Sequence, residues 1–234
     1  MAADSNALSV ALSLLINLDA ALVDIVLLSL QVSLLAVCLA ALIGFPLGAA
    51  VALWRFPGRG LVVVALNALM GLPPVVAGLV VYLLLSRAGP LGEWGLLFTP
   101  NAMVIAQVVL VLPILAALSR QKVEELLAEY QEQFVSLGMS RLRMIQTLLW
   151  DARFALLTVL LAGFGRASAE VGAVMMVGGN IDGVTRVMTT SIVLETSKGN
   201  LPLALGLGIV LLTLVLVINA AAYLVGEWAR RRTG

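Results

Sequence analysis

Long apolar runs separated by short polar breaks set the pattern of this chain. A membrane span needs about 20 mostly apolar residues, and five segments qualify, at about 25–54, 61–85, 103–118, 154–177 and 201–225. The third is the shortest, and Pro113 inside it predicts a bend. Residues 7–18 are too short to cross. Ser9, Ser13 and Asn17 fall every four residues there, the single polar stripe of a helix lying in the membrane interface. A sixth span is the weaker alternative, with Asp19 and Asp24 close behind. The pattern predicts an all-α, polytopic membrane helix bundle over 22–228, a periplasmic or interfacial segment at 1–21 and a basic tail at 229–234.

One long polar segment breaks the apolar pattern, at 129–154. Within it Phe134, Leu137, Leu142, Ile145, Leu148 and Leu149 recur at roughly helical spacing with charges between them. Gly138 sits mid-pattern and predicts a break or turn. Two readings stand on pattern alone: a solvated loop packed on its own bundle, or an amphipathic helix whose apolar side needs a partner.

Composition narrows the chemistry. Hydrophobic residues make up 62% of the chain and charged residues 12%, and mean hydropathy is +1.09, a balance that belongs to integral membrane proteins. The net charge of +1 offers no basic field for nucleic acid. The chain has no histidine, the commonest acid–base catalyst and metal ligand. Its one cysteine, Cys38, lies in an apolar run, which excludes an internal disulfide. No catalytic residue and no metal site are expected. The first residues are acidic rather than basic, so no cleaved leader is expected either.

Charge also orients the spans. Arg55, Arg59, Arg120, Lys122, Arg141, Arg143, Arg153 and the arginines at 230–232 are ten of the fourteen Lys and Arg, and all share one side if the N-terminus is outside. The positive-inside rule then puts the polar segment and the C-terminus in the cytoplasm. Arg87, Arg186 and Lys198 face out, and Arg166 lies in the membrane.

Several membrane residues are unusual. Pro73 and Pro74 follow Gly71 in the second span. Two prolines cannot sit in an unbroken helix, and broken helices at membrane depth are tolerated where neighbours or a water-filled cavity satisfy the freed groups. The fourth span carries Arg166, Ser168 and Glu170, and a charge there costs about 2.5–3.5 kcal/mol on insertion scales. Arg166 and Glu170, one turn apart, make either a structural ion pair or a contact for a transported anion. Gly165, Ala169, Gly172 and Ala173 predict a small-residue face for close helix approach. Beyond the fourth span, Gly178, Gly179 and Asn180 predict a sharp turn. Thr185, Thr189 and Ile192 would then share a helix face beside Arg186, Thr190 and Val193, hydroxyls and one charge suited to an oxyanion, although hydroxyls also satisfy helix backbones.

The polar segment resembles the cytoplasmic EAA loop of ABC importer permeases, whose pattern is Glu-Ala-Ala, three residues, Gly, then a variable run to Leu-Pro. Glu132 and Gly138 match, while Gln133, Phe134, Trp150 and Asp151 depart from it. RFPGRG, NALMGLPPVVAGLVVYLLLSRAGPLG and GRASAEVGAVMMVGGNIDGVTRVMTTSIVLETSKGN resemble the molybdate/tungstate permeases, most nearly the tungstate branch, and the likeness covers about 22–228. It implies a homodimeric type I importer permease in the cell (inner) membrane, a cytoplasmic ABC ATPase dimer and an extracytoplasmic oxyanion-binding protein. It also implies that Glu129, Glu132, Gln133, Phe134, Leu137, Gly138, Arg141 and Arg143 couple to the ATPase. Pro73, Pro74, Arg166, Ser168, Glu170, Gly178, Gly179, Asn180, Thr185, Arg186 and Thr189 would line or gate the path. The chain has no Gly-x-x-x-x-Gly-Lys-Ser/Thr cradle, so ATP and Mg are expected on the separate ATPase. An ion-coupled secondary transporter with Glu170 as proton site is the reading from a different class.

Overall fold

The computed structural model describes residues 20–233, so the interfacial helix expected at 7–18 lies outside the described residues. Among these, the chain is helical with short connections: α1 (Ala20–Leu53), α2 (Arg59–Met70), α3 (Pro74–Leu85), α4 (Pro100–Ser136), α5 (Arg141–Asp151), α6 (Arg153–Ser168), α7 (Gly172–Gly178), α8 (Met188–Ser197) and α9 (Leu201–Thr233), with one 3-10 turn at Gly92–Trp94. Three helices are long and apolar enough to cross alone. Two bent pairs, α2 with α3 at 104° and α5 with α6 at 73°, bring the crossings to five if each pair counts as one span.

α1 and α4 run side by side and form the spine. Their approach rests on glycine: a β-carbon at Gly48 would overlap Ser119 Oγ and the Ala116 carbonyl and lie 2.9 Å from Arg120 N, and one at Gly44 would lie 3.3 Å from Ala116 N. Small residues at this spacing let membrane helices touch backbone to backbone. Three apolar layers stack along the spine. At one end Val32 and Ala36 pack with Val81, Met103, Val174 and Val177 from α3, α4 and α7. In the middle Val37 and Ala40 meet Val111, Leu115 and Phe164. At the other end Ala49 and Ala52 meet Val123, Phe134, Ile145 and Leu148. That last end also holds Arg59, Arg120, Arg141 and Arg153 and is termed here the basic end. α4 is central and α9 peripheral: two thirds of the most apolar stretch of α4 is buried, against 22% for α9.

The third crossing differs from the 103–118 expected. α4 continues unbroken through Pro113 for 37 residues, about 56 Å at 1.5 Å per residue. The bilayer core is about 30 Å thick, so the polar second half of α4 projects beyond it. The prolines of the second crossing do not kink one helix. Pro73 is an extended N-cap (φ −61°, ψ 126°) and Pro74 opens α3, the helix start for which proline is pre-organised. The small-residue face also divides, because the fourth crossing breaks after Ser168. A β-carbon at Gly165 would touch nothing within 4 Å, whereas Gly78 brings α3 to within 2.7 Å of Ala173 Cα, measured from its own absent β-carbon.

Candidate functional site

The break between α6 and α7 frees backbone groups in the middle of the bundle, and side chains from three elements take them up. Gln107 Nε2 on α4 donates to the Ala167 carbonyl at 3.1 Å. Thr189 Oγ1 on α8 donates to the Glu170 carbonyl at 2.9 Å. Glu170 Oε1 accepts from Ala173 N at 3.0 Å, a carboxylate capping the first turn of α7. Its other oxygen, Oε2, holds Arg166 Nη1 at 2.6 Å. Every freed group named here has a partner, as burial away from water requires. Glu170 is 2% exposed and Arg166 31%, so the guanidinium reaches the edge of the bundle with donors to spare.

Beside the break lies a cavity of about 20 Å³ lined by Ser29, Ser33, Gln107, Ser168 and Thr189, room for about one water molecule. Gln107 Oε1 is buried there without a hydrogen-bond partner. The bond from Nε2 to Ala167 fixes which end of the amide faces the cavity, so it presents an acceptor. The space admits about one water, which that acceptor can bind, and is too small for an oxyanion.

The turn after α7 is built as expected from 178–180, with Gly179 at φ +72° and Asn180 at φ +51°. The helix expected to carry Thr185 and Thr189 on one face starts only at Met188, so that shared face does not form. Thr185 is fully buried and brackets the turn, donating to the Gly178 carbonyl at 2.6 Å and accepting from Ile181 N at 2.9 Å. Thr190 serves its own helix start through Val187 N. Arg186 pairs with Asp182 at 2.7 Å. Both line an open cleft of about 580 Å³ with Asp24 and Gln31, two carboxylates against one guanidinium. Farther along the same connection, hydrogen bonds from Lys198, then Asn200, hold the Glu195 carboxyl below the usual carboxylate range.

At the basic end α4 stops at Ser136, Gly138 turns the chain at φ +59°, and α5 starts at Arg141. The left-handed conformation is one glycine adopts freely, and a β-carbon there would touch nothing within 4 Å. The turn resets the helical phase, so the apolar residues on either side do not share one face. Phe134 is 5% exposed and packs inward with Ile145 and Leu148; it supports the bend and is not presented for docking, against the expectation. Glu129, Glu132, Gln133, Leu137, Gly138, Arg141 and Arg143 are exposed. Leu142, one of the apolar positions of the sequence pattern, and Trp150 are each 68% exposed beside Leu137 at 72%, and Val135, which the pattern missed, is 71% exposed. Behind the bend Glu124 bridges Arg59 of α2 and Arg120 of α4, the second at 2.6 Å, and Arg59 Nε reaches the Val51 carbonyl of α1 at 2.8 Å. Arg120 and Glu124 at i, i+4 were the visible signal for that clamp.

Residues 44–234 match the family described as binding-protein-dependent transport system inner membrane component. The chain belongs to that family. Among its relatives, the probable anion ABC transporter permease protein of Haloferax volcanii is 42% identical over 204 residues, 85% of this chain and 88% of that protein. The tungstate uptake system permease protein TupB of Peptoclostridium acidaminophilum is 41% identical over 93% of this chain and 95% of its own length. TupB of Campylobacter jejuni is 38% identical over 89% and 87%. An inner membrane component of this family is a multi-pass, non-enzymatic transport subunit, which accounts for the apolar crossings. The match begins within α1 at Gly44 and so spans the stitched break, the turn at 178–180 and the bend at Gly138.

Proposed function

We propose that this chain is the permease subunit of an ABC importer that moves an oxyanion, tungstate first, into the cytoplasm. The observation that carries the coupling is the helical extension of α4 beyond the bilayer, ending in a glycine bend that exposes Val135, Leu137 and Leu142. Apolar side chains held out in water on a rigid helix pair call for a partner. In this reading the partner is an ABC ATPase dimer that carries ATP and Mg, docked on two copies of the chain. The basic end is then cytoplasmic and the C-terminus inside, in agreement with the positive-inside rule. An oxyanion-binding protein delivers cargo at the opposite end, near the cleft of Asp182 and Arg186. Tungstate is supported by the names of two close relatives.

Alternating access would use the two breaks. α7 and α3 are short, touch through Gly78 and Ala173, and end at glycine or proline turns, the form of element that rocks as a unit. Arg166, with one Nη1 committed to Glu170 and the rest of the fork partly exposed, is the proposed transient anion contact, and Arg186 the outer one. Contact must be weak for release. Nothing in the geometry favours a proton-coupled carrier, since both oxygens of Glu170 are engaged.

Proteoliposomes holding the chain with its ATPase and binding protein test the proposal. Uptake of labelled tungstate should need ATP and stop with vanadate, and molybdate and sulfate should compete less well. Uptake by the chain alone, insensitive to vanadate, overturns it. Leu142→Asp should separate the ATPase from an otherwise intact membrane subunit.

A further inference from the structure

A lateral trough runs between α1 and the α5–α6 bend. Two adjoining hollows of about 360 and 410 Å³ share Phe45, Leu149 and Leu160 and reach from Cys38 to Arg153. The lining is apolar except at one point. Arg153, the first residue of α6, closes the trough at the basic end. Its guanidinium lies 4.9 Å over the Trp150 ring and 4.6 Å over the Phe154 ring, and Nη1 donates to the Trp150 carbonyl at 2.9 Å. The ion pairs among the described residues use Glu124, Glu125, Glu170, Asp182, Glu195 and Glu227, none of them with Arg153. An uncompensated cation is thus fixed by two aromatic rings at the mouth of an apolar trough. α9 touches the same region, with Leu157 under Gly226.

We infer that this trough is a binding site for one anionic phospholipid, its acyl chain along Phe45 and Leu160 and its phosphate on Arg153. Charge complementarity selects the occupant. A zwitterionic lipid would fill the trough equally well but gains little from the guanidinium, whereas one cation near an anionic headgroup favours it by about fivefold. Trp150 and Phe154 suit the headgroup level, where aromatic side chains with a polar neighbour settle. The lipid would brace the 73° bend that joins α5 to α6, so the bend exposed at the basic end and the bilayer are read by the same helix pair.

Native mass spectrometry of the intact complex tests this, with the protein reconstituted in equal parts phosphatidylglycerol and phosphatidylcholine. The expected result is a retained phosphatidylglycerol adduct, reduced about fivefold by Arg153→Gln, partly restored by Arg153→Lys, and reduced for both lipids by Leu160→Trp, which fills the trough. Equal retention of the two lipids by the unaltered chain, or no change in Arg153→Gln, overturns the inference. Cys38 lies exposed in the trough and supplies an independent arm. Disulfide cross-linking of two chains through Cys38 in native membranes would show a second copy seated there instead, and would also overturn it.

Discussion

Glu170→Ala removes two anchors at once, the cap on Ala173 N and the counter-charge of Arg166. Leaving a buried N–H without a partner costs about 1–3 kcal/mol. Breaking a buried ion pair costs about 3–5 kcal/mol. Arg166 keeps 31% of its side chain exposed, so solvent screening reduces that second figure to about 2 kcal/mol. The sum is about 3–5 kcal/mol, a large part of any folded domain's margin. Glu170→Gln keeps an acceptor for Ala173 N and loses only the charge, so about 2 kcal/mol is expected. Arg166→Ala breaks the same pair and leaves the cap on Ala173 N in place, again about 2 kcal/mol. Arg166→Ala with Glu170→Gln leaves neither charge nor orphan N–H and should lose about 1 kcal/mol or less. Thermal midpoints in lipid nanodiscs, followed by tryptophan fluorescence, give the order. Glu170→Ala should melt lowest, the two milder single variants in the middle and the double variant nearest the unaltered chain. A double variant no better than Arg166→Ala would refute the pairing. Equal midpoints for Glu170→Ala and Glu170→Gln would refute the cap.

Gly138→Val forces a branched side chain into φ +59° at about 1–2 kcal/mol, with no clash; membrane levels should hold while co-purification of the ATPase falls, and full retention of the complex would count against the bend. Gly78→Leu drives a β-carbon to 2.7 Å from Ala173 Cα, an overpacking worth about 1–3 kcal/mol, and should abolish uptake even where the protein is still recovered from membranes. Gln107→Leu removes one of two donors to the Ala167 carbonyl, which keeps the Glu170 N–H at 3.2 Å, and it also removes the unpartnered Oε1, so about 1 kcal/mol or less is expected; a midpoint drop as large as that for Glu170→Ala would mean the amide does more than close the break.

The crossings were legible because apolar length is decided residue by residue, and the bend at Gly138 because a helical period with glycine inside it has few outcomes. The placing of side chains around the bend was not legible. A single continuous period put Phe134 and Leu137 on one face; the glycine turn resets the phase, so Phe134 packs under Ile145 while Leu137 and Leu142 stand out. The ion pair of Arg166 and Glu170 followed from i, i+4 spacing, but its second duty, capping α7, needed the break after Ser168, and no proline or glycine pair marks that break in the sequence. Thr185 illustrates the limit most plainly. A hydroxyl-rich stretch fits a ligand-facing helix and a self-bonded turn alike, and the backbone, starting its helix at Met188, chose the turn.

The 104° turn between α2 and α3 bears on how the chain is made. Each is 12 residues long, about 18 Å of helix, too short for a bilayer core of about 30 Å. Neither half is long enough to leave the translocon alone as a stable crossing, and a 104° bend fits a broken span or a re-entrant loop, so in either form the two halves insert together. The surface against which α3 settles, Ala173, is encoded 95 residues after Gly78. At about 5–20 residues per second of synthesis, the segment waits roughly 5–20 s for the neighbour that completes its packing. During that interval only α4 and lipid can cover the apolar run of α3, and this segment is where an insertion factor or chaperone would have the most to protect.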